Sequence, residues 1–425
     1  HTLCYYAPPA ACDPPRKFTT TRVFYRLPAG WRLEDTHPDL LALAGIILVH
    51  PFVSLEGRLV LHGQVSEAFA AVCRSVLAYR VEFDAELGPG ALQPRTPGRT
   101  PALSFSGGVD STAALALMPA STLLYFLDRH TLPGTENRSI YVKESALVAC
   151  DMAEAAGYGV HRIATNLEFI RRPIGFPIDW ASGLPAILMA DYNDLSSVSW
   201  GVVAESGYRV GHDYFIDFRR RKIFSRWDTL LRAVGLCLGA PVAGLSEVCT
   251  STVVRSSPLA GVAQSCIRGP KNQPCLRCFK CLRKRMLDSV LDDRPLSVDE
   301  FEGMVRFQGY EKIMLKLPIK HEDVFRWMAP RLRLDGPSLT WPSLMSRLQL
   351  GGQLPEWATR WYPKSAELIP EEYRNEAIAK IGGFVDTMDD AQMREFEGWD
   401  LREASGSDEP KTSVDRLAEV LAPPP

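Results

Sequence analysis

The chain has 425 residues, too many for one ordinary hydrophobic core, so a central domain of roughly 150–250 residues with added parts is expected. Its 48 basic and 50 acidic residues leave a net charge of −2, which argues against a partner gripped mainly through a nucleic-acid backbone. The longest apolar run, Leu40 to Val49, stops at His50 and Pro51, short of the ~20 residues that span a bilayer. No basic stretch leading into an apolar one opens the sequence, so neither a signal peptide nor a membrane partner is expected, and a cytoplasmic location is.

Residues 1–98 read as an accessory α+β region, Pro-rich at both ends, with a helical stretch near Val65 to Tyr79. The cluster "LGPGALQPRTPGRTP" reads as a linker. A core over 99–265 follows, where apolar runs at Ala102–Phe105, Thr122–Leu127, Val160–Ala164, Ser199–Ala204 and Val242–Leu245 alternate with helical periodicity. The helical stretches are Ser111–Met118, Lys143–Ala156, Pro185–Ser197 and Ser225–Leu238. That alternation predicts an α/β fold with a parallel five-stranded sheet sandwiched by helices, which binds ligands beyond the carboxyl ends of its strands. Four cysteines fall in 266–290, residues 291–402 read as helical with Trp327, Trp341, Trp357, Trp361 and Trp399 filling a core, and 403–425 reads as a flexible tail.

The chemistry gathers at "LSFSGGVDSTAALAL", residues 103–117. Backbone N–H groups at a helix start carry partial positive charge, and glycines let an anion approach them. Gly107 and Gly108 supply that approach, while Ser106, Ser111 and Thr112 offer hydroxyl donors. Asp110 repels a bare phosphate, so it fits only with a cation such as Mg²⁺ between them. The plain alternative is Asp110 or Ser111 capping a helix on a turn of small residues. No GxxxxGK[ST] occurs, so the lysine of a Walker-type site is missing.

Ser106-Gly107-Gly108-Val109-Asp110-Ser111 resembles the SGGxDS signature of the ATP-pyrophosphatase (PP-loop) superfamily. Within it the chain is most similar to the 7-cyano-7-deazaguanine synthase family over about residues 101–287. Phe126-Leu127-Asp128-Arg129-His130 looks like that family's Tyr-Gly-Gln-Arg-His, Glu144 and His161 fall where it has Glu and His, and Ser206-Gly207-Tyr208 is similar to its SGY. The likeness implies a PP-loop fold and an ATP site made of Ser104, Ser106, Gly107, Gly108, Asp110, Ser111, Thr112, Asp128, Arg129 and His130. It also implies Mg²⁺ on Asp110. Ser182-Gly183-Leu184-Pro185 stands where the family has Pro-Gly-Arg-Asn, and Arg209-Val210 where it has Pro-Asp.

Among the residues beside these motifs, Gly183, Glu205, Ser206 and Arg209 are the candidate substrate contacts. Glu205 can bind an amine or act as a base and Arg209 can grip a carboxylate, or the two can simply pair with each other. Arg129 and His130 can stabilise developing charge, or be a surface arginine and a capping histidine. Asp110, Arg129 and Glu205 are the candidate catalytic residues.

Cys266, Cys275, Cys278 and Cys281 give C-x8-C-x2-C-x2-C, the ligand number and spacing of a closed structural Zn²⁺ site, with an iron–sulfur cluster as the alternative. Arg268, Lys271, Arg277, Lys280, Arg283, Lys284 and Arg285 surround them, either balancing the anionic metal site or forming a nucleic-acid patch.

The expected activity is an ATP-dependent, AMP-forming C–N ligase. A small-molecule carboxylate, or an amide oxygen, is adenylated and passed to ammonia or an amine, giving an amide or nitrile. The competing readings are a tRNA-modifying sulfur transferase, which needs a cysteine that turns over, and a non-catalytic nucleotide-binding module. A homodimer stays open.

Overall fold

The computed structural model describes residues 2–6, 17–18, 20, 22–83, 92–131, 142–264, 266, 268–270, 273–307, 311–349, 354–402 and 408–421. Five strands form the parallel centre: β6 (Thr100–Ser104), β7 (Leu123–Arg129), β8 (Val160–Thr165), β10 (Leu195–Trp200) and β11 (Cys237–Gly239). Their spatial order is β8-β7-β6-β10-β11. The chain therefore builds outward from β6 to one side, then returns to build on the other. That reversal opens a crevice between the carboxyl ends of β6 and β10.

The sheet has seven strands, where five are expected from the sequence. Strand β3 (Arg22–Arg26) pairs antiparallel with β8, and β1 (Thr2–Tyr6) pairs antiparallel with β3. The side-chain amide of Asn166 locks β3 in place, accepting from Phe24 N and donating to Arg22 O, each at 2.9 Å. The accessory region thus shares the central sheet. Short pairs β2 (Lys17–Phe18) with β9 (Arg171–Arg172), and β4 (Arg58–Leu61) with β5 (Arg80–Phe83), complete the strands described.

Alternation along the strands sends Ala102, Tyr125 and Val198 into one hydrophobic cluster and Leu103 and Leu124 into the other. Helices α1 (Pro38–Val49), α5 (Leu184–Leu188) and α7 (Lys222–Ala233) cover the first face. The second is covered by α3 (Val109–Leu117), α4 (Lys143–Ala155) and α8 (Glu247–Ser256). Helix α2 (Glu67–Val76), the one expected near Val65–Tyr79, packs on α7. Pro101 cannot donate to a ladder, and the register of β10 shifts opposite it, between Leu195 and Ser197.

Two stretches differ from their periodicity. Pro185–Ser197 looks like one helix, but α5 ends at Leu188 and a turn with Asp194 at φ 52° leads into β10. Val242–Leu245 is apolar because it is buried in a turn before α8, and the strand there is β11. The linker is pinned rather than loose at its described end. Arg95 is buried and donates to Asp191 Oδ1 at 2.6 Å and to the carbonyls of Ala190, Leu195, Val234 and Gly235.

Beyond the cysteines lie α9 (Phe279–Leu291), α10 (Val298–Val305), α11 (Glu311–Met314), α12 (Glu322–Met328), α13 (Trp341–Gln349), α14 (Arg374–Gly382) and α15 (Asp390–Glu397). Trp327, Trp357, Trp361 and Trp399 are buried among them and Trp341 is half-buried. Within the expected flexible tail, α16 (Asp408–Leu421) packs on α13 and buries Leu417 and Leu421. Among the described residues, no helix is long and apolar enough to cross a membrane.

Candidate functional site

A cavity of about 330 Å³ opens at the crevice between β6 and β10. The carboxyl end of β6 and the start of α3 supply Ser104, Ser106, Gly108, Asp110 and Ser111 to its wall. Strand β7 contributes Tyr125 through Leu127 and Arg129, and β10 contributes Trp200 with Gly201 and Val202 after it.

The glycine loop is shaped by contacts that tolerate no side chain. Gly107 has φ +73°, and a Cβ there would lie 2.5 Å from the Cβ of Ala149 on α4. A Cβ on Gly201 would meet Ser111 N at 2.6 Å, so β10 abuts the start of α3 only because residue 201 is glycine. Helix α3 begins at Val109 with Gly108 at its cap and no side-chain cap. Neither Asp110 nor Ser111 therefore caps it. Instead Ser111 Oγ donates to Gly108 O at 3.0 Å and lies 3.1 Å from Ser106 Oγ, while Asp110 accepts from Thr250 Oγ1 at 3.0 Å. Thr250 stands on α8, which holds the carboxylate at the cavity wall.

The remaining predicted residues divide. Arg129 lines the cavity, paired with Glu168 at 3.3 Å and stacked over Phe176. Asp128 and His130 bond each other at 2.9 Å beside it, and Thr112 is buried beneath the loop. Ser104 donates to Ser182 Oγ at 2.9 Å, which also accepts from Trp200 Nε1 at 3.1 Å. His161 stacks on Tyr125, and Glu144 is exposed.

Gly183, Glu205, Ser206 and Arg209 do not line this cavity. A Cβ on Gly183 would sit 2.2 Å from Trp200 Cζ2, so that glycine is a packing residue. Ser206 is exposed, and its carbonyl accepts from Arg221 Nη1 at 2.6 Å. Arg209 pairs with Asp213 at 2.5 Å, not with Glu205. Glu205 is fully buried and accepts from Glu247 N at 2.6 Å. Burial, with the carboxyls of Asp323 and Glu247 adding to it, pushes the Glu205 acid well above its ordinary range. It belongs to an interior network.

That network joins the cavity to the cysteines. Burial works to raise Glu247, but Arg283, Lys284 and His321 overcome it and hold the carboxyl well below the usual range. Lys284 Nζ lies 2.7 Å and Arg283 Nη2 3.2 Å from Glu247 Oε1. Helix α8 therefore carries Thr250, which holds Asp110, and Glu247, which holds α9.

Each of Cys266, Cys275, Cys278 and Cys281 brings one Sγ into a group spanning no more than 4.8 Å. The separations are 4.0 Å for 266–278, 3.7 Å for 275–281 and 3.4 Å for 278–281. A tetrahedron with metal–sulfur bonds of about 2.3 Å has edges near 3.8 Å, so the four thiols can hold a metal such as zinc. Arg268 N donates to Cys266 Sγ and Arg277 N to Cys275 Sγ, both at 3.4 Å. Such backbone donors stabilise thiolates.

Thr250, Gln264 and Lys280 were not visible as site residues from sequence. Lys280 was visible only as one charge in the basic dressing of the cysteines. The structure places it on the wall of the cavity beside Asp110.

A family of unknown function (DUF6395) matches residues 226–400, a segment that holds α8, the four cysteines and Lys280 but not the glycine loop. Comparison with curated proteins and with solved structures finds no match.

Proposed function

We propose that the chain is an ATP-dependent ligase of the PP-loop ATP-pyrophosphatase type, releasing AMP and pyrophosphate. It adenylates a small-molecule carboxylate and passes the acyl group to ammonia or an amine. One observation carries the reading. The two-glycine loop, with Ser106, Ser111 and Asp110 on it, forms one wall of a cavity at the crevice where the strand order of the parallel sheet reverses.

In this reading the diphosphate end of ATP lies against the loop, near Gly108 and the Ser106 and Ser111 hydroxyls. The hard carboxylate oxygens of Asp110 suit Mg²⁺, which when bound supplies charge neutralisation to the departing diphosphate. A carboxylate oxygen attacks the α-phosphorus, the bond from that phosphorus to the bridging oxygen breaks, and pyrophosphate leaves with the electron pair. Arg129, at the end of β7, faces the developing charge. Ammonia or an amine then adds to the acyl carbon, AMP leaves, and the nitrogen's proton goes to solvent. An amide results, or a nitrile after a second activation of the amide oxygen.

Zinc is the metal assigned to the cysteines, since four thiolates without an open position form a closed structural site. Sulfur transfer is the weaker reading. Burial pushes the thiols of Cys73, Cys150 and Cys249 up to about 12 and raises Cys237, so none of these cysteines, outside the cluster, is a ready thiolate.

The test is pyrophosphate release from MgATP across a panel of carboxylic acids labelled with ¹⁸O, with an ammonium salt present. The expected result is acid-dependent pyrophosphate and transfer of one ¹⁸O into AMP. ADP with inorganic phosphate, or AMP without label for every acid that supports turnover, would overturn carboxylate adenylation. Elemental analysis showing iron, with visible absorbance, would overturn zinc.

A further inference from the structure

We propose that Lys280 is a catalytic cation of this site, gripping the diphosphate of the nucleotide from the cysteine helix and so replacing the lysine that a Walker-type loop carries within itself. The inference rests on the nucleotide reading above and adds the residue that neutralises its leaving group.

Three observations converge. A Cβ built on Gly108 would lie 3.6 Å from Lys280 Nζ and 3.5 Å from Ser106 Oγ. The missing side chain thus leaves a notch walled by an ammonium and a hydroxyl, both donors and both suited to a phosphate oxygen. Lys280 and Asp110 face the same cavity.

The second observation is the fate of the neighbouring cations. On α9, Arg283 and Lys284 are held by Glu247, and Arg285 is held by Glu300. Three of the seven basic residues around the cysteines, Arg283, Lys284 and Arg285, are thus occupied by carboxylates. Among the described residues, the Lys280 ammonium has no hydrogen-bond or ion-pair partner, and the residue is half-buried at the cavity wall. A cation taken partly out of water without a fixed partner is destabilising unless an anion arrives.

The third is its anchorage. Lys280 lies between Cys278, the N-cap of α9, and Cys281 in its first turn. The loop before the helix is tied to α4 by Ser145 Oγ, which donates to Gly269 O at 2.6 Å. Gln264 N also donates to Gly107 O at 2.7 Å, joining the segment that leads into the cysteines to the glycine loop itself. A lysine on a flexible stem gains by being delivered from a fixed helix, because less ordering remains to be done when the anion binds.

The test is titration calorimetry of the full, metal-loaded chain with MgATP, magnesium pyrophosphate and AMP, comparing the natural protein with Lys280→Met and Lys280→Arg. Loss of one charge-assisted contact predicts that K280M weakens MgATP and pyrophosphate by on the order of tenfold or more. AMP, which lacks the diphosphate, should change by less than about twofold, and K280R should stay within about threefold of the natural protein for all ligands. Metal content and melting temperature are measured on each variant, and K280Q, which keeps a polar end without charge, replaces K280M if the latter misfolds. Unchanged pyrophosphate affinity in a folded, metal-loaded K280M or K280Q overturns the role of Lys280 alone. An equal loss of AMP affinity overturns the assigned contact. No uptake of MgATP or pyrophosphate by the natural protein overturns the nucleotide reading, and this inference with it.

Discussion

Gly107 offers a perturbation whose size follows from two separable contacts. Substitution by alanine leaves a residue with φ +73° and puts a Cβ 2.5 Å from the Cβ of Ala149. The left-handed backbone is worth roughly 1–2 kcal/mol of strain for a residue with a side chain. Carbon atoms prefer about 3.5–4.0 Å, so the overlap forces the loop and α4 apart at a further cost of roughly 1–3 kcal/mol. G107A should therefore lose roughly 2–5 kcal/mol of stability. A149G alone should lose about 1–2 kcal/mol, from helix propensity and one buried methyl. In the double variant the overlap disappears and the backbone strain stays, which predicts a favourable coupling of about 1–3 kcal/mol. Urea unfolding followed by tryptophan fluorescence and by far-ultraviolet circular dichroism measures it, provided the two transitions coincide. Additivity within about 0.5 kcal/mol would mean that the loop does not press on α4, and the geometry of the phosphate wall would have to be redrawn.

The interior network makes further predictions. Glu247→Gln leaves Arg283 and Lys284 without their buried counter-charge and should destabilise by roughly 3–5 kcal/mol in the same urea assay. A loss below about 1 kcal/mol would show those cations to be hydrated. Burial pushes Asp323 up to about 7, so the native state keeps a proton there that the unfolded chain releases near 3.9. The unfolded state then binds fewer protons between about pH 4 and 7, and this group makes stability fall as pH rises through that window. Asp323→Asn should remove that slope, and an unchanged pH dependence would place the titration elsewhere. Glu247 has the opposite sign: its stabilisation is present above about pH 4.3 and is lost as pH falls through its depressed native value, so E247Q should flatten the acid limb. Stripping the metal with a strong chelator should lower the melting temperature and make all four clustered thiols react with a thiol reagent. Melting and thiol reactivity that do not move would rule out a structural metal.

The residues that could be read in advance are those whose chemistry is carried by neighbours in sequence. "SGGVDS" after an apolar run marked the loop, and the spacing of Cys266, Cys275, Cys278 and Cys281 marked the metal site, because both depend on backbone turns only a few residues long. The central strands β6, β7 and β8 were legible as short apolar runs between helical periods. Strand β10, "LSSVSW", was legible only at its end, where the expected run Ser199–Ala204 overlaps it at Ser199 and Trp200, since both of its faces are buried and its serines bond inside the fold, as Ser199 does with Tyr373 at 2.8 Å. Nor was β11, three residues long and ended at Gly239, where a Cβ would overlap Ser199 Oγ at 2.0 Å.

What sequence alone determined was thus local: a glycine-rich turn onto a helix, a four-thiol cluster and an alternating α/β pattern. Tertiary structure decided which distant groups meet there. It drew Glu205 into the interior, onto the backbone N–H of Glu247, 42 positions further along the chain. It added β3 to the sheet by pairing with β8 across more than a hundred residues of chain, and β1 by pairing with β3. It set Lys280 over Gly108, a meeting across 172 positions that no periodicity records, because α8 packs on α3 and holds α9 through the ion pairs of Glu247 and Arg255.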